Sequence, residues 1–283
     1  MALADVNGRQ VEYKLAGNGD LIVLLAASWW PMDTWDLSGF PQLAGEYRVL
    51  TFNNRGIGAS AATPEPYTCA SLADDAVELM DTLGLDQPAH VVGFANGSGV
   101  AIKVALRHPN RVRSLILAAS SPGTPASAPS PAIRERQHIE HLGFRDFIRN
   151  HALNDTFAFT PGTYAQHRER ATALADALWE HQGTEAEFLK HAEARQGYSA
   201  VDDARSVSVP TLVLCGAEDN VERGPSTPVR TSHALAEAFP NARLHLLPGM
   251  AHMTFWEDPD AAWLPVKEFL ASVPSPAAAG EGS

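Results

Sequence analysis

The strongest constraint on this chain is a series of short, continuously apolar runs separated by amphipathic stretches. Leu21 to Ala27 reads LIVLLAA without alternation, the pattern of a strand covered on both faces. Tyr47–Phe52, Ala89–Phe94 and Ser114–Ala119 repeat the theme, and Val11–Leu15 precedes them as an amphipathic strand. Between two of these runs, Ser71–Leu83 places Leu72, Ala76, Leu79, Met80 and Leu83 at helical spacing, and Gly84 closes it. Asn96–Arg107 forms a second helical stretch, with Pro109 just beyond its end. Strand and helix in alternation predict a mostly parallel sheet with helices on both faces, an α/β fold.

The alternation stops at Ser121. Pro122, Pro125, Pro129 and Pro131 fall in a stretch rich in Ser, Ala and Gly, and Ile133 to about Tyr198 is helix-like without buried-strand runs. The sheet pattern resumes at Val209–Cys215, followed by a helix (Ser232–Phe239), a strand (Arg243–Leu247) and a helix (Asp260–Ala271). One discontinuous sheet domain, residues 1–122 and 200–273, is therefore expected. A helical lid over 123–199 interrupts it, and a small, polar tail, 274–283, is expected to be disordered.

Composition narrows the function. Acidic residues outnumber basic ones 33 to 21, a net charge of -12, which argues against a nucleic-acid binder. No run of about 18 apolar residues is present, and Met1–Gly8 lacks a charged-then-apolar leader pattern, so neither membrane nor nucleic acid is an expected partner. Cys69 and Cys215 have no metal or redox spacing, and a reducing, cytoplasmic setting is expected. Arginine supplies nearly all the positive charge, with Lys14, Lys103, Lys190 and Lys267 the lysines; with the abundant Ala and Pro this suggests a GC-rich bacterial genome. The lid segment carries 10 acidic and 8 basic residues, so the acidic excess belongs to the scaffold.

The chemistry concentrates in His90-Val-Val-Gly93-Phe94-Ala95-Asn96-Gly97-Ser98-Gly99. A strand runs through a turn framed by glycines into a helix. Taken alone, the Gly-x-Ala-x-Gly pentapeptide is a common kind of turn. In its place before a helix it resembles the nucleophile elbow, G-x-S-x-G, of the α/β-hydrolase fold superfamily, and the resemblance extends over nearly the whole chain. It implies a strained central residue with its side chain above the sheet, at Ala95. Serine is expected there, and a methyl group cannot attack a carbonyl.

By the same resemblance, Val213–Asp219 matches the strand and loop of the triad acid, with Asp219 in that role rather than Glu218. Pro248–His252 matches the loop that presents the triad histidine, His252. Asn53–Ser60 matches the loop after the second buried strand, with Asn53 where the family often has Asp. The oxyanion hole is expected from the backbone N–H groups of Asn96 and Ser28; Ala26-Ala27 stands where the family usually has His-Gly. Trp29, Trp30 and Met253 are candidate walls for a bulky apolar substrate. No cofactor or metal is implied.

Ala95 carries three readings. In the first, the parent protein has serine and hydrolyses, or transfers an acyl group from, an ester, lactone or thioester of a hydrophobic small molecule, and this chain is its inactivated variant. In the second, Ala95 is natural and His252 acts as general base in non-hydrolytic chemistry (a lyase, cyclase or cofactor-free reaction). In the third, the chain is a non-catalytic binding protein. The lid also holds His138, His141, His151, His167, His181 and His191, which read as a solvated helical surface because no further ligand stands at metal spacing.

Overall fold

The computed structural model describes residues 1–154, 158–220 and 226–274; the expected tail, apart from Pro274, lies outside them. An N-terminal hairpin, β1 (Ala2–Val6) and β2 (Arg9–Ala16), leads into β3 (Leu21–Leu25). Two short 3-10 helices, Met32–Leu37 and Phe40–Gly45, connect β3 to β4 (Arg48–Phe52). Then come α1 (Cys69–Thr82), β5 (Ala89–Phe94), α2 (Asn96–Arg107) and β6 (Val112–Ala118).

The lid follows. It holds α3 (Pro131–Leu142), α4 (Phe144–Leu153), α5 (Pro161–Gln166), α6 (Arg168–Glu180) and α7 (Glu185–Glu193). Its base is a two-residue antiparallel ribbon of β7 (Gly123–Thr124) and β8 (Tyr198–Ser199). The chain returns through α8 (Ala200–Ala204), β9 (Thr211–Gly216), α9 (Pro228–Ala238), β10 (Ala242–Leu247), α10 (Thr254–Glu257) and α11 (Pro259–Ser272).

Eight strands form one sheet in the order β1-β2-β4-β3-β5-β6-β9-β10, antiparallel at β1/β2 and β2/β4 and parallel elsewhere. The β1 strand had no sequence expectation: ALADV is short and mostly exposed, and it pairs at an edge. The central strands read as uninterrupted apolar runs because both faces are packed. Ile22, Leu24, Val92, Phe94 and Ile116 enter one core. Leu21, Val23, Leu25, Val91 and Leu115 enter the other, under α1 and α2.

β3 lies between β4 and β5, so the chain steps outward to β4 and then back across β3 to β5. Connections leave the carboxyl ends of β3 and β5 in opposite directions, and the crevice that opens there is where open α/β sheets hold ligands. The β3 loop and the elbow after β5 flank this crevice.

Helix starts differ from the sequence reading where side-chain caps extend them. Helix α1 begins two residues early because Thr68 and Ser71 form a reciprocal capping box. Helix α9 begins at Pro228 because the Thr227 hydroxyl accepts from the Arg230 N–H. Both cysteines are buried and unbridged, and no described helix is long and apolar enough to cross a membrane.

Candidate active site

Residue 95 ends β5 with φ 51° and ψ -114°, a backbone conformation rare for a residue with a side chain. The surrounding hydrogen bonds hold it there. Its N–H donates to Ala118 O at 2.9 Å, its carbonyl accepts from Ser98 N at 3.2 Å, and the Ser98 hydroxyl donates to Gly93 O at 2.9 Å. The framing glycines are steric necessities. A Cβ on Gly93 would lie 2.6 Å from Gly97 O and from Ser98 Cα, and one on Gly97 would overlap the carbonyl oxygens of Leu25 and Ala26. Asn96 opens α2, so its N–H belongs to the first-turn donors that have no acceptor within their own helix.

His252 is buried, and its Nδ1 lies 2.7 Å from Asp219 Oδ2, with Asp219 itself buried at the end of β9. The Phe94 ring packs 5.2 Å from the imidazole. Charge on this imidazole is thus compensated by a carboxylate in a dry setting, the arrangement that holds a histidine in one tautomer as a base.

A cavity of about 520 Å³ opens at this point. Its core wall includes Ala27, Trp29, Trp30, Ala95, Asn96, His252 and Met253. Trp29, Trp30 and Met253 thus stand beside the elbow and His252. Ser28 stands apart from the wall, between two residues that belong to it, and its buried hydroxyl has no partner among the described residues. The β3 loop closes without the family glycine: Trp30 N donates to Ala27 O at 2.7 Å, and Ala27 is not among the described residues of positive φ. Asn53 and Asn54 clamp that loop. Asn53 Oδ1 accepts from Met32 N at 2.7 Å, and Asn54 Nδ2 donates to Ser28 O at 2.9 Å.

The lid wall is more polar than the sequence suggested. Arg134, Glu135 and His138 from α3, Asn150 and His151 from α4, and Arg195 after α7 line the cavity with Leu142, Phe147 and Phe188. His138 and His151 therefore face a cavity, and His191 is fully buried against Arg55 O. The expectation of a solvated histidine surface is corrected for the half-buried His151 and the buried His191, because the lid folds inward around them; His138 borders the cavity but keeps a 58% exposed side chain, as expected. Burial alone would raise the Glu135 carboxyl, but Arg134 and Arg195 overcome it and hold it below its ordinary range. Among the described residues no group of three His, Cys, Asp or Glu side chains is placed to hold a metal ion.

Glu257 is a further site residue without a sequence signal. It is buried, and it accepts from Ala251 N at 2.6 Å, Thr160 N at 2.8 Å and Thr160 Oγ1 at 2.9 Å. One carboxylate thereby ties the histidine loop to the lid. Met253 N donating to Ala158 O at 2.8 Å adds a second tie.

An eight-stranded sheet with a switch-point elbow, a buried Asp–His pair after later strands and a helical lid defines an α/β-hydrolase architecture. The family model for the alpha/beta hydrolase fold matches residues 25–259, and the chain belongs to that family. It is 30% identical over 266 residues, 88% of this chain and 90% of the relative, to a putative carbamate hydrolase RutD of Caulobacter sp. (strain K31). It is 28% identical to the putative non-heme bromoperoxidase BpoC of Mycobacterium tuberculosis (strain ATCC 25618 / H37Rv), over 91% of this chain and 96% of that protein. Among solved structures it is similar to the enol-lactonase from Burkholderia xenovorans LB400, with a TM-score of 0.79 and 25% identity over 96% of this chain and all of that one. A thermophilic esterase from Thermogutta terrifontis shares the fold, with a TM-score of 0.81 at 23% identity over 97% of this chain and 99% of that one.

Proposed function

We propose that the site is built for hydrolysis or acyl transfer on an ester, lactone or thioester of a bulky, largely apolar small molecule, and that Ala95 replaces the serine of the parent activity. The observation that carries this is the elbow itself. Residue 95 keeps a costly conformation of about 1–3 kcal/mol, and it lines one cavity with His252, whose buried partner is Asp219. With a serine hydroxyl at position 95, His252 would accept its proton as it attacks the acyl carbon, and Asp219 would stabilise the imidazolium. Asn96 N–H and Ser28 N–H are the proposed oxyanion donors. The similarity to an enol-lactonase and to a putative carbamate hydrolase supports a carbonyl substrate.

The test is a panel of aryl esters and lactones offered to this chain and to Ala95→Ser. Ala95→Ser is expected to raise hydrolysis by about 10³-fold or more, and His252→Ala in that background to remove the gain. No gain in Ala95→Ser overturns the reading.

A second reading is favoured by the intact pair. Burying an Asp–His pair costs desolvation, yet the chain retains it without a nucleophile. Here His252 is a general base that takes a proton from a bound ligand in a lyase- or cyclase-like reaction. Turnover by the Ala95 chain that disappears in His252→Ala supports this reading, and ligand binding without turnover in either form supports a binding protein.

A further inference from the structure

The charge on the lid wall runs against that of the whole chain. The protein carries -12, but among the described residues the Arg, Lys, Asp and Glu side chains lining the cavity are Arg134, Arg195 and Glu135, two cations to one anion. Both guanidiniums donate to the same carboxylate oxygen, Glu135 Oε1, from Arg134 Nη2 at 2.8 Å and Arg195 Nη2 at 3.3 Å. Arg195 Nε donates to Ala192 O at 3.2 Å. Each guanidinium carries five N–H donors, so among the described residues of the wall most of their donor capacity is uncommitted.

Burial sharpens the arrangement. Glu135 and Arg195 side chains are 11% and 18% exposed, whereas Arg134 is 48% exposed and open to the cavity. Glu193, the next carboxylate along the lid, is engaged by the Ser130 hydroxyl and does not line the cavity. Glu135 therefore acts as a brace that presents two guanidiniums and, among the described residues of the wall, balances one of their two positive charges. The apolar part of the cavity, Trp29, Phe147 and Phe188, belongs to the same enclosure.

We propose that the lid wall is an anion subsite in which Arg134 and Arg195, braced by Glu135, receive a carboxylate carried by the ligand. The ligand class is then a monocarboxylate with an aromatic or alicyclic body, whose reacting group lies at the elbow. This deepens the reading of the cavity as a small-molecule site and rests on it. A guanidinium fits a planar carboxylate through paired N–H donors, with Arg195 mostly buried and Arg134 half exposed at the cavity's edge.

The experiment is isothermal titration calorimetry near neutral pH with 4-phenylbutyrate and its neutral counterpart 4-phenylbutanamide. The carboxylate is expected to bind at least about tenfold more tightly. Arg134→Gln is expected to bring the ratio near one, and Glu135→Gln, which keeps an acceptor for both guanidiniums but removes the carboxylate's charge, to widen it. Thermal melting checks that each variant is folded; if Glu135→Gln is not, the Arg134→Gln comparison decides. Amide binding with no carboxylate preference, or a preference that survives Arg134→Gln, overturns the subsite and leaves the cavity reading standing. Failure of both probes to bind this chain overturns the cavity reading, and the subsite falls with it.

Discussion

Ala95 is held at positive φ by its neighbours rather than by its own preference. Glycine at that position would relax the strain at the cost of extra freedom in the unfolded chain. Ala95→Gly is therefore expected to raise stability by about 1 kcal/mol, measured by urea unfolding; a loss of stability would show that the elbow is relaxed. Asn53 poses a different residue-scale question. The sequence comparison marked it as a departure from an aspartate, and its partners explain the amide. Asn53 Nδ2 donates to Glu12 Oε2 at 2.7 Å while Oδ1 accepts from Met32 N. An aspartate would set two carboxylates against each other. Asn53→Asp is expected to cost about 1–3 kcal/mol, and to cost little in a Glu12→Gln background.

At the scale of elements, the site depends on ties between segments far apart in sequence. The Trp256 indole N–H donates to Thr34 O at 2.7 Å and that of Trp263 to Ser38 O at 2.6 Å, so α10 and α11 anchor the segment after β3. Trp30 packs 5.2 Å from Trp256 and 5.4 Å from Phe94, placing one cavity wall on that anchored cluster. Glu257 performs the corresponding task between the histidine loop and the lid. Glu257→Gln keeps the shape but removes the charge that three donors share, and is expected to cost about 3 kcal/mol in urea unfolding. A cost within about 0.5 kcal/mol would show that these bonds are exchanged freely for water.

At the scale of the whole molecule, two histidines couple stability to pH. His90, under the sheet against Ser114, and His191, between the lid and the core, are both pushed down to about 4 by burial. The folded protein keeps them neutral while the unfolded chain protonates them near the ordinary value of about 6.5. Their contribution is thus fully present above pH 6.5 and is lost as pH falls from there toward 4. The loss approaches about 1.4 kcal/mol per pH unit for each group. Thermal melting across this window is expected to fall steeply, and His90→Asn or His191→Asn to flatten the slope; an unchanged slope in both would rule out these groups as the cause.

The alternating runs determined the α/β class, because buried strands and amphipathic helices each need their own spacing of apolar residues. The elbow glycines were legible because a tight turn demands them, whereas Asp219 and His252 were expected through the family resemblance, and the fold brings those two together. The β1 hairpin strand escaped, since five residues with a single polar one among them carry no periodic signal of their own. Arg134, Glu135, Arg195 and Glu257 escaped as site residues because a charged side chain on an amphipathic helix reads as a solvated face. Only the folding of the lid over the sheet buries Glu135, Glu257 and most of Arg195, and turns the three lid charges toward the cavity and Glu257 toward the histidine loop. The sequence by itself thus determined the scaffold and the alanine at the centre of the elbow. Tertiary structure decided the polarity of the cavity, because burial and pairing of charges depend on which distant segments meet.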